Sequence, residues 1–309
     1  MTEQTSLQLH MDQDGYGITA AIITAAQAAD CKTRYPIVLV HGIGYTDEDY
    51  PDYWGRVPAA LTRCGAEVYF GGQDSYASVT VNAQQLKDRI LAICAGEAGA
   101  ARAGDTAARE GAPDKVNIIA HSKGGLDARY MISCLDMAPY VASLTTIATP
   151  HRGIGAIDAL KQKAPAVLAQ LYGLFALMVR IDGGDKPDSL AVFDQLSADY
   201  LSVFNELVPD AAGVYYQSWA CDMADRKTDP PLGLFYDMVH RLQGDNDGFV
   251  PVESAKWGTF RGVYRGEDGA GISHPMACDG RVRQMEKQGR EDLSSWYVQI
   301  VSELREMGL

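Results

Sequence analysis

The segment Ala120–Gly125 (AHSKGG) constrains the fold more than any other part of the sequence. It follows the apolar run Val116–Ile119 and places Ser122 between the small residues Ala120 and Gly124. This pattern predicts a buried strand that turns sharply into a helix with Ser122 at the apex, because small residues let strand and helix approach without Cβ clashes. The alternative is a serine that caps an ordinary helix. The motif alone does not separate the two, since a chain rich in alanine and glycine also produces it by chance.

Apolar runs typical of buried strands alternate with helical patterns along the chain. The predicted strands are Tyr35–Val40, Ala66–Phe70, Val116–Ala120, Leu144–Ala148 and Val214–Ala220, and the predicted helices are Tyr53–Cys64, Val81–Ile93, Gly124–Leu135 and Asp292–Met307. This alternation predicts a mostly parallel sheet with helices on both faces. The 309 residues fit one α/β domain, so we predict a single domain over residues 1–309.

The segment Ala156–Phe204 departs from the alternation. It carries two apolar helical stretches, Ala164–Ile181 and Leu190–Phe204, separated by the sequence GGDKP at 183–187. One interpretation is additional packed core. The other is a helical lid or cap over Ser122 whose apolar face lines an acyl pocket.

Charge and composition narrow the range of partners. The net charge of −13 disfavours nucleic acids and anionic membrane surfaces, which repel an acidic protein. The first fifteen residues are polar and acidic, and Ile18–Ala29 is too short and too weakly apolar to span a bilayer. We therefore expect no signal peptide, no transmembrane segment and a cytoplasmic location. Nothing in the sequence indicates the oligomeric state.

The six cysteines are scattered without a CxxC pair, and no Cys or His residues have zinc-ligand spacing. A chain of this size has no need of stabilising cross-links, so we expect free, buried thiols in a reducing compartment.

A nucleophilic serine needs a histidine base, normally held by a carboxylate. In a sheet that carries such a serine turn, the chain order is serine, acid, histidine. Only His240 and His274 lie far enough beyond Ser122 to leave room for an acid loop. That loop is best placed at Gly244–Gly248 (GDNDG), a turn in which short carboxylates project. Since only His274 follows the loop, the order selects it as the base.

The acid is either Asp247 or Asp245. Both lie in the same loop, and residue chemistry alone favours Asp247 without excluding Asp245, because aspartates in such turns are often only turn formers.

An oxyanion hole would complete the site. One donor is expected from the backbone N–H of Lys123, the residue after the serine. The other is expected from the loop after the first buried strand, His41–Gly44, where we select the N–H of Ile43. We expect the Lys123 side chain to be solvated and incidental, and His41 to brace the loop.

Four segments in the same order resemble bacterial triacylglycerol lipases, most strongly the Gram-positive branch in which alanine opens the serine motif. They are Tyr35–Gly42, Ala120–Gly125, Thr145–Gly153 and Asn246–Val250. The resemblance implies an α/β-hydrolase fold, carboxylic ester substrates with medium or long acyl chains, and often a lid. Asn246-Asp247-Gly248 resembles the catalytic-acid motif of the family, which favours Asp247 over Asp245.

Two departures from the family bear on metals. Members with a structural calcium usually carry an acidic ligand two positions after the catalytic histidine, where this chain has Met276. The histidine-containing zinc insertion of the thermostable members is also missing between the first strand and the turn at Ser122. Asp279 is the residue left that could contribute to a metal site. We therefore expect no cofactor and no metal. The alternatives to a lipase or esterase are an acyltransferase or thioesterase with the same three residues, and a non-catalytic binding protein on the same scaffold.

Overall fold

The structure is a computed structural model that describes residues 30–44, 53–74, 76–97, 111–166, 168–169, 189–267, 269–290 and 293–309. The segment Ile18–Ala29 lies outside the described residues, as does most of the predicted helix Ala164–Ile181.

One six-stranded sheet forms the centre of the fold. Its strands are β1 (Ile37–Val40), β2 (Val68–Phe70), β3 (Val116–His121), β4 (Val141–Ile147), β5 (Tyr215–Cys221) and β6 (Thr259–Tyr264). They pair in the order β2-β1-β3-β4-β5-β6, and each pairing is parallel. The predicted class of fold, a parallel sheet within an α/β protein, is confirmed.

Helices cover both faces of this sheet. In chain order they are α1 (Val57–Arg63), α2 (Val79–Cys94), α3 (Gly124–Cys134), α4 (Gly155–Lys163), α5 (Ser189–Asp194), α6 (Ala198–Leu207), α7 (Gly233–Gln243), α8 (Val252–Ala255), α9 (Val282–Lys287) and α10 (Ser294–Glu306). No helix in the part of the chain that the structure describes has the length and apolarity needed to cross a membrane.

The apolar run of β1 shows why the strands must be buried on both sides. Ile37 and Leu39 pack in a cluster with residues of α1 and α10. Val38 and Val40 point the other way and pack with residues of α2 and α3. Successive strand side chains alternate between faces, so an uninterrupted apolar run is stable only between two helical layers.

Two elements differ from the sequence predictions. β6 has no predicted counterpart because it is the edge strand, and its residues are partly exposed and include Arg261 and Gly262. The predicted helix Leu190–Phe204 is two helices, α5 and α6. Ser197 ends the continuity, since its side chain accepts a hydrogen bond from the Tyr200 N–H and thereby caps α6.

Candidate active site

Ser122 occupies the sharp turn between β3 and α3. Its φ angle is +57°, a left-handed conformation that is strained for a residue with a side chain. Two hydrogen bonds hold the turn: the Ser122 N–H donates to the Ile147 carbonyl (3.0 Å), and the Thr149 hydroxyl donates to the Ser122 carbonyl (2.7 Å). Lys123, not Ser122, is the residue that precedes α3, and no side chain caps this helix. The helix-cap alternative for Ser122 is therefore wrong.

Glycines at the turn allow three chain segments to meet. A Cβ on Gly124 would lie 2.4 Å from the His41 carbonyl oxygen, and a Cβ on Gly125 would lie 2.2 Å from Oγ1 of Thr149. Both distances are too short for real atoms, so the α3 helix reaches β1 and the loop after β4 only because these two residues lack side chains.

A line of hydrogen bonds connects Ser122, His274 and Asp247. Nε2 of His274 lies 2.8 Å from Oγ of Ser122, and Nδ1 lies 2.7 Å from Oδ2 of Asp247. The other carboxylate oxygen of Asp247 accepts from the N–H groups of Phe249 (2.9 Å) and Val250 (2.6 Å). An ionised carboxylate only accepts hydrogen bonds, so Nδ1 carries the proton and Nε2 is free to accept from the serine hydroxyl.

The structure places Asp245 elsewhere. Its carboxylate is more than half exposed and lies near the surface residues Arg265 (3.5 Å) and His240 (4.0 Å). Asp247 is fully buried, and its backbone carbonyl also accepts from the His274 N–H at 2.7 Å. Of the two aspartates in the loop, Asp247 is thus the one within reach of the histidine.

The loop after β1 approaches the serine closely. A Cβ on Gly42 would lie 2.7 Å from Cβ of Ser122, so this approach requires glycine. Among the described residues, the N–H groups of Ile43 and Lys123 have no hydrogen-bond partner. Two unpaired amides beside a serine hydroxyl are the arrangement that stabilises an oxyanion.

His41 braces this loop. Nε2 of His41 lies 2.9 Å from the Gln73 carbonyl oxygen, and the Gln73 side-chain amide donates to the His41 carbonyl at 2.8 Å. These contacts attach the end of β1 to the segment after β2.

The side chain of Lys123 is not solvated, which corrects the sequence prediction. It is almost fully buried, and its Nζ lies 2.7 Å from Oδ1 of Asp127, four residues along α3. Burial lowers the pKa of Lys123 and raises the pKa of Asp127, and each partner opposes the effect of burial on the other. The sequence prediction failed because it could not foresee that the start of α3 packs closely against the end of β1 and the loop after β4, which buries Lys123.

Tyr53 has a structural role that sequence reasoning missed. Its hydroxyl accepts from the Gly42 N–H (2.6 Å) and lies 2.6 Å from Nδ1 of His121. Burial, followed by the electrostatic interaction with the neighbouring His274 ring, holds the pKa of His121 well below its ordinary value. Tyr53 falls at the start of a predicted helix, and no local pattern in the sequence indicates a contact 68 residues away.

Asp279 is already occupied by protein donors. The backbone N–H, Nε and Nη2 of Arg56 all donate to its buried carboxylate at 2.7–3.0 Å. Among the described residues, no group of three His, Cys, Asp or Glu side chains is arranged to hold a metal ion.

A cavity of about 260 Å³ opens beside the Ser122 hydroxyl. Its lining residues are mainly apolar. One of these residues, Phe193, belongs to α5 in the 156–204 segment. The lining residues other than Ser122 are Ile43, Tyr53, His121, Phe193, Leu232, Phe249, His274, Pro275, Cys278 and Gly280. The cavity suits an apolar group whose polar end lies at the serine.

The sequence is similar to those of several curated triacylglycerol lipases. The triacylglycerol lipase of Vibrio cholerae is 31% identical over 265 residues, which cover 78% of this chain and 80% of that protein. The triacylglycerol lipase of Burkholderia plantarii is 33% identical over 211 residues, 63% of this chain and 54% of that protein. The chain spans about half the length of several curated relatives that it matches.

Two further comparisons concern the fold and one part of the chain. A solved metagenomic carboxyl esterase superposes with a TM-score of 0.66 at 16% identity, covering 90% of this chain and 78% of that one, which supports the fold alone. Residues 36–182 match the family model of palmitoyl protein thioesterases.

Proposed function

The chain belongs to the triacylglycerol lipase family of the α/β-hydrolases, and we propose that it hydrolyses carboxylic esters through an acyl-enzyme intermediate on Ser122. The resemblance to bacterial lipases is confirmed at the level of the family, whereas membership of the Gram-positive branch stays a prediction. The observation that carries the proposal is the continuous line of hydrogen bonds from Ser122 Oγ through His274 to Asp247.

In the acylation step, Ser122 Oγ attacks the ester carbonyl carbon while His274 Nε2 takes the hydroxyl proton. The carbonyl oxygen becomes an oxyanion that accepts hydrogen bonds from the N–H groups of Ile43 and Lys123, each worth roughly 3–4 kcal/mol of barrier. The tetrahedral intermediate then collapses. The bond to the alcohol oxygen breaks, and His274 passes its proton to the leaving alcohol.

Deacylation repeats the sequence with water as the nucleophile. His274 takes a proton from water, the hydroxide adds to the acyl carbon, and the acid leaves as Ser122 recovers its proton from His274. Throughout, Asp247 keeps the Nδ1 proton in place and stabilises the imidazolium. The buried carboxylate is held for this task by the Phe249 and Val250 amides.

We propose that the apolar part of the substrate is an acyl chain of medium or long length that occupies the cavity beside Ser122. Phe193, Leu232 and Phe249 contribute large apolar side chains to its wall. The Phe193 ring packs edge-on against Phe249 with ring centres 6.5 Å apart, and the Phe249 ring lies 5.5 Å from that of His274. These ring contacts connect α5 to the catalytic histidine. They support the lid interpretation of residues 156–204, in which α5 covers the cavity that binds the acyl chain.

A thioester is the second candidate substrate, because residues 36–182 match the palmitoyl protein thioesterase family model. The two proposals differ only in the leaving group, an alkoxide or a thiolate. Comparing kcat/KM for decanoyl esters and decanoyl thioesters of similar size separates them: a thioester value more than about ten times the ester value would favour the thioesterase.

The test of the main proposal uses p-nitrophenyl esters and a fluorophosphonate probe. Ser122→Ala is expected to lower kcat by about 10⁴- to 10⁶-fold and to abolish labelling. The matched control is Ser202→Ala, because Ser202 is exposed on α6 and should leave both measurements unchanged. Full hydrolysis by Ser122→Ala would refute the mechanism.

A further inference from the structure

Two segments that are distant in sequence run side by side at the amino end of the sheet. One is the stretch before β1 that contains Cys31, and the other is the end of α1 at Cys64. The Cys31 N–H donates to the Cys64 carbonyl oxygen at 2.8 Å. A Cβ placed on Gly65 would lie 3.7 Å from Cβ of Lys32, so the next pair of residues is also in contact range.

This backbone geometry suits a disulfide. Residues that exchange two backbone hydrogen bonds in an antiparallel sheet have Cα atoms roughly 5.5 Å apart, and a disulfide usually spans roughly 4.4–6.8 Å between Cα atoms. Cys31 and Cys64 share one such bond, which brings their backbones close to this range. Both side chains also belong to the same apolar cluster, in which Cys31 is fully buried and Cys64 is one of the partly buried residues that pack against the cluster.

The two thiols differ in accessibility. Cys64 is partly exposed, whereas Cys31 is buried and also contacts the Val298 carbonyl of α10 at 3.7 Å. Burial, together with the adjacent Cys64 thiol that is hydrogen bonded to it, raises the pKa of Cys31 to about 12. An external reagent therefore reaches Cys64 first, and Cys31 then reacts at the neighbouring Cys64 sulfur.

We propose that Cys31 and Cys64 are a disulfide site that small-molecule disulfides, such as oxidised glutathione, close in two exchange steps. The Cys64 thiolate attacks the reagent, forms a mixed disulfide and releases one glutathione thiol. The Cys31 thiolate then attacks the Cys64 sulfur, forms the Cys31–Cys64 bond and releases the second thiol. Two protein thiols are oxidised, one glutathione disulfide is reduced, and the two protons go to the leaving thiolates. This extends the sequence prediction, which expects only free thiols.

The cross-link would close a loop that contains β1, Gly42, Ile43 and Tyr53. A closed loop of this length lowers the conformational entropy of the unfolded chain. Cys31 precedes β1 whereas Gly42 follows it, so the pair lies at the opposite end of the sheet from Ser122. Oxidation should therefore raise stability and leave ester turnover unchanged, which keeps this proposal independent of the proposed function.

The experiment treats the full chain with dithiothreitol or with oxidised glutathione. After denaturation, titration of thiols is expected to fall from six to four, and a non-reducing peptide map should contain one linked pair of peptides carrying Cys31 and Cys64. The thermal midpoint is expected to rise by about 5–10 °C and to return on reduction.

Two variants sharpen the outcome. Cys64→Ser should abolish the shift in midpoint, whereas Cys134→Ser, which removes an exposed thiol, should retain it. The peptide map of the unaltered chain needs no variant to fold. Six thiols after oxidation, a stable mixed disulfide with glutathione on Cys64, or a linkage between other cysteines would each overturn the proposal.

Discussion

The hydroxyl of Tyr53 lies 2.6 Å from Nδ1 of His121 and also accepts a hydrogen bond from the Gly42 N–H. One side chain therefore joins the loop after β1 to the residue that precedes Ser122. Tyr53→Phe removes both hydrogen bonds while keeping the ring. We expect kcat to fall by about 10- to 100-fold with KM changed less than about threefold, because the donors are misplaced rather than lost. Steady-state kinetics on a p-nitrophenyl ester measure this.

The control for this change is Tyr140→Phe, which removes a hydroxyl from an exposed ring far along the chain. A kcat for Tyr53→Phe equal to that of the unaltered chain would show that the bridge does not position the loop.

The two aspartates of the 244–248 loop provide an internal comparison. Asp247→Asn should lower kcat by about 10⁴-fold, because the amide no longer holds the Nδ1 proton of His274. Asp245→Asn should stay within about twofold of the unaltered chain, since this carboxylate is exposed and pairs with surface residues. Measured kcat values for both variants decide the assignment, and a larger loss with Asp245→Asn would reverse it.

Removing one partner of the buried Lys123–Asp127 pair should lower the free energy of unfolding more than neutralising both partners together. Lys123→Met leaves an uncompensated carboxylate in the interior and should lower the free energy of unfolding by about 3–5 kcal/mol. The double variant Lys123→Met/Asp127→Asn should recover most of this loss, since the amide oxygen can still accept from Asn82. Urea denaturation provides the numbers.

The matched surface pair is Lys161 with Asp194, separated by 2.9 Å and largely exposed. Lys161→Met should cost less than about 1 kcal/mol. Equal losses from Lys123→Met and Lys161→Met would contradict the role of burial.

Buried neutral histidines should make the protein less stable in mild acid. Burial, followed by the charges of Arg129 and Arg152, holds the pKa of His151 well below 6.5. Arg129 donates to Nδ1 of His151 (3.4 Å), so the proton of the neutral ring is on Nε2, which donates to the Thr146 hydroxyl (2.9 Å). A second proton on Nδ1 would face the positively charged Arg129 guanidinium. The unfolded chain binds this proton below about pH 6.5 and the native chain does not, so stability falls as pH decreases through that window.

The expected size is up to about 1.4 kcal/mol per pH unit for each such histidine. Replacing His151 with Gln should reduce the slope of unfolding free energy between pH 6.5 and 5.5 by up to that amount. The control is Ser202→Gln at an exposed position of α6, which changes no titratable group and should leave the slope unchanged. An unaltered slope for His151→Gln would mean that His151 does not titrate on unfolding.

The cavity wall formed by Phe193 should set the response to acyl length. Phe193→Ala removes apolar contact with the chain and with Phe249, so kcat/KM for a decanoyl ester should fall by about tenfold while that for an acetyl ester stays within about twofold. Val203→Ala on α6, at an exposed position, serves as the control. Equal losses for both ester lengths would argue against an acyl site at Phe193.

Local patterns in the sequence predicted those features that depend on short-range sterics and burial. The apolar runs predicted five of the six strands in the described part of the chain to within a few residues, because a strand packed on both faces must be apolar throughout. The partly exposed edge strand β6 was not predicted, because a strand at the edge of the sheet does not need to be apolar throughout. The small residues around Ser122 likewise indicated a tight turn, and chain order indicated which histidine could follow the acid.

The sequence by itself therefore determined the class of sheet, the turn at Ser122 and the set of candidates around it. Only the tertiary structure decided which groups meet: that His274 reaches Ser122 across 152 positions, that Asp245 turns to the surface, that Lys123 is buried against Asp127, and that Tyr53 contacts His121. The physical reason is that backbone conformation is set largely by neighbours in sequence. Contacts between loops depend instead on the order of strands in the sheet and on which side chains the surrounding helices exclude from water.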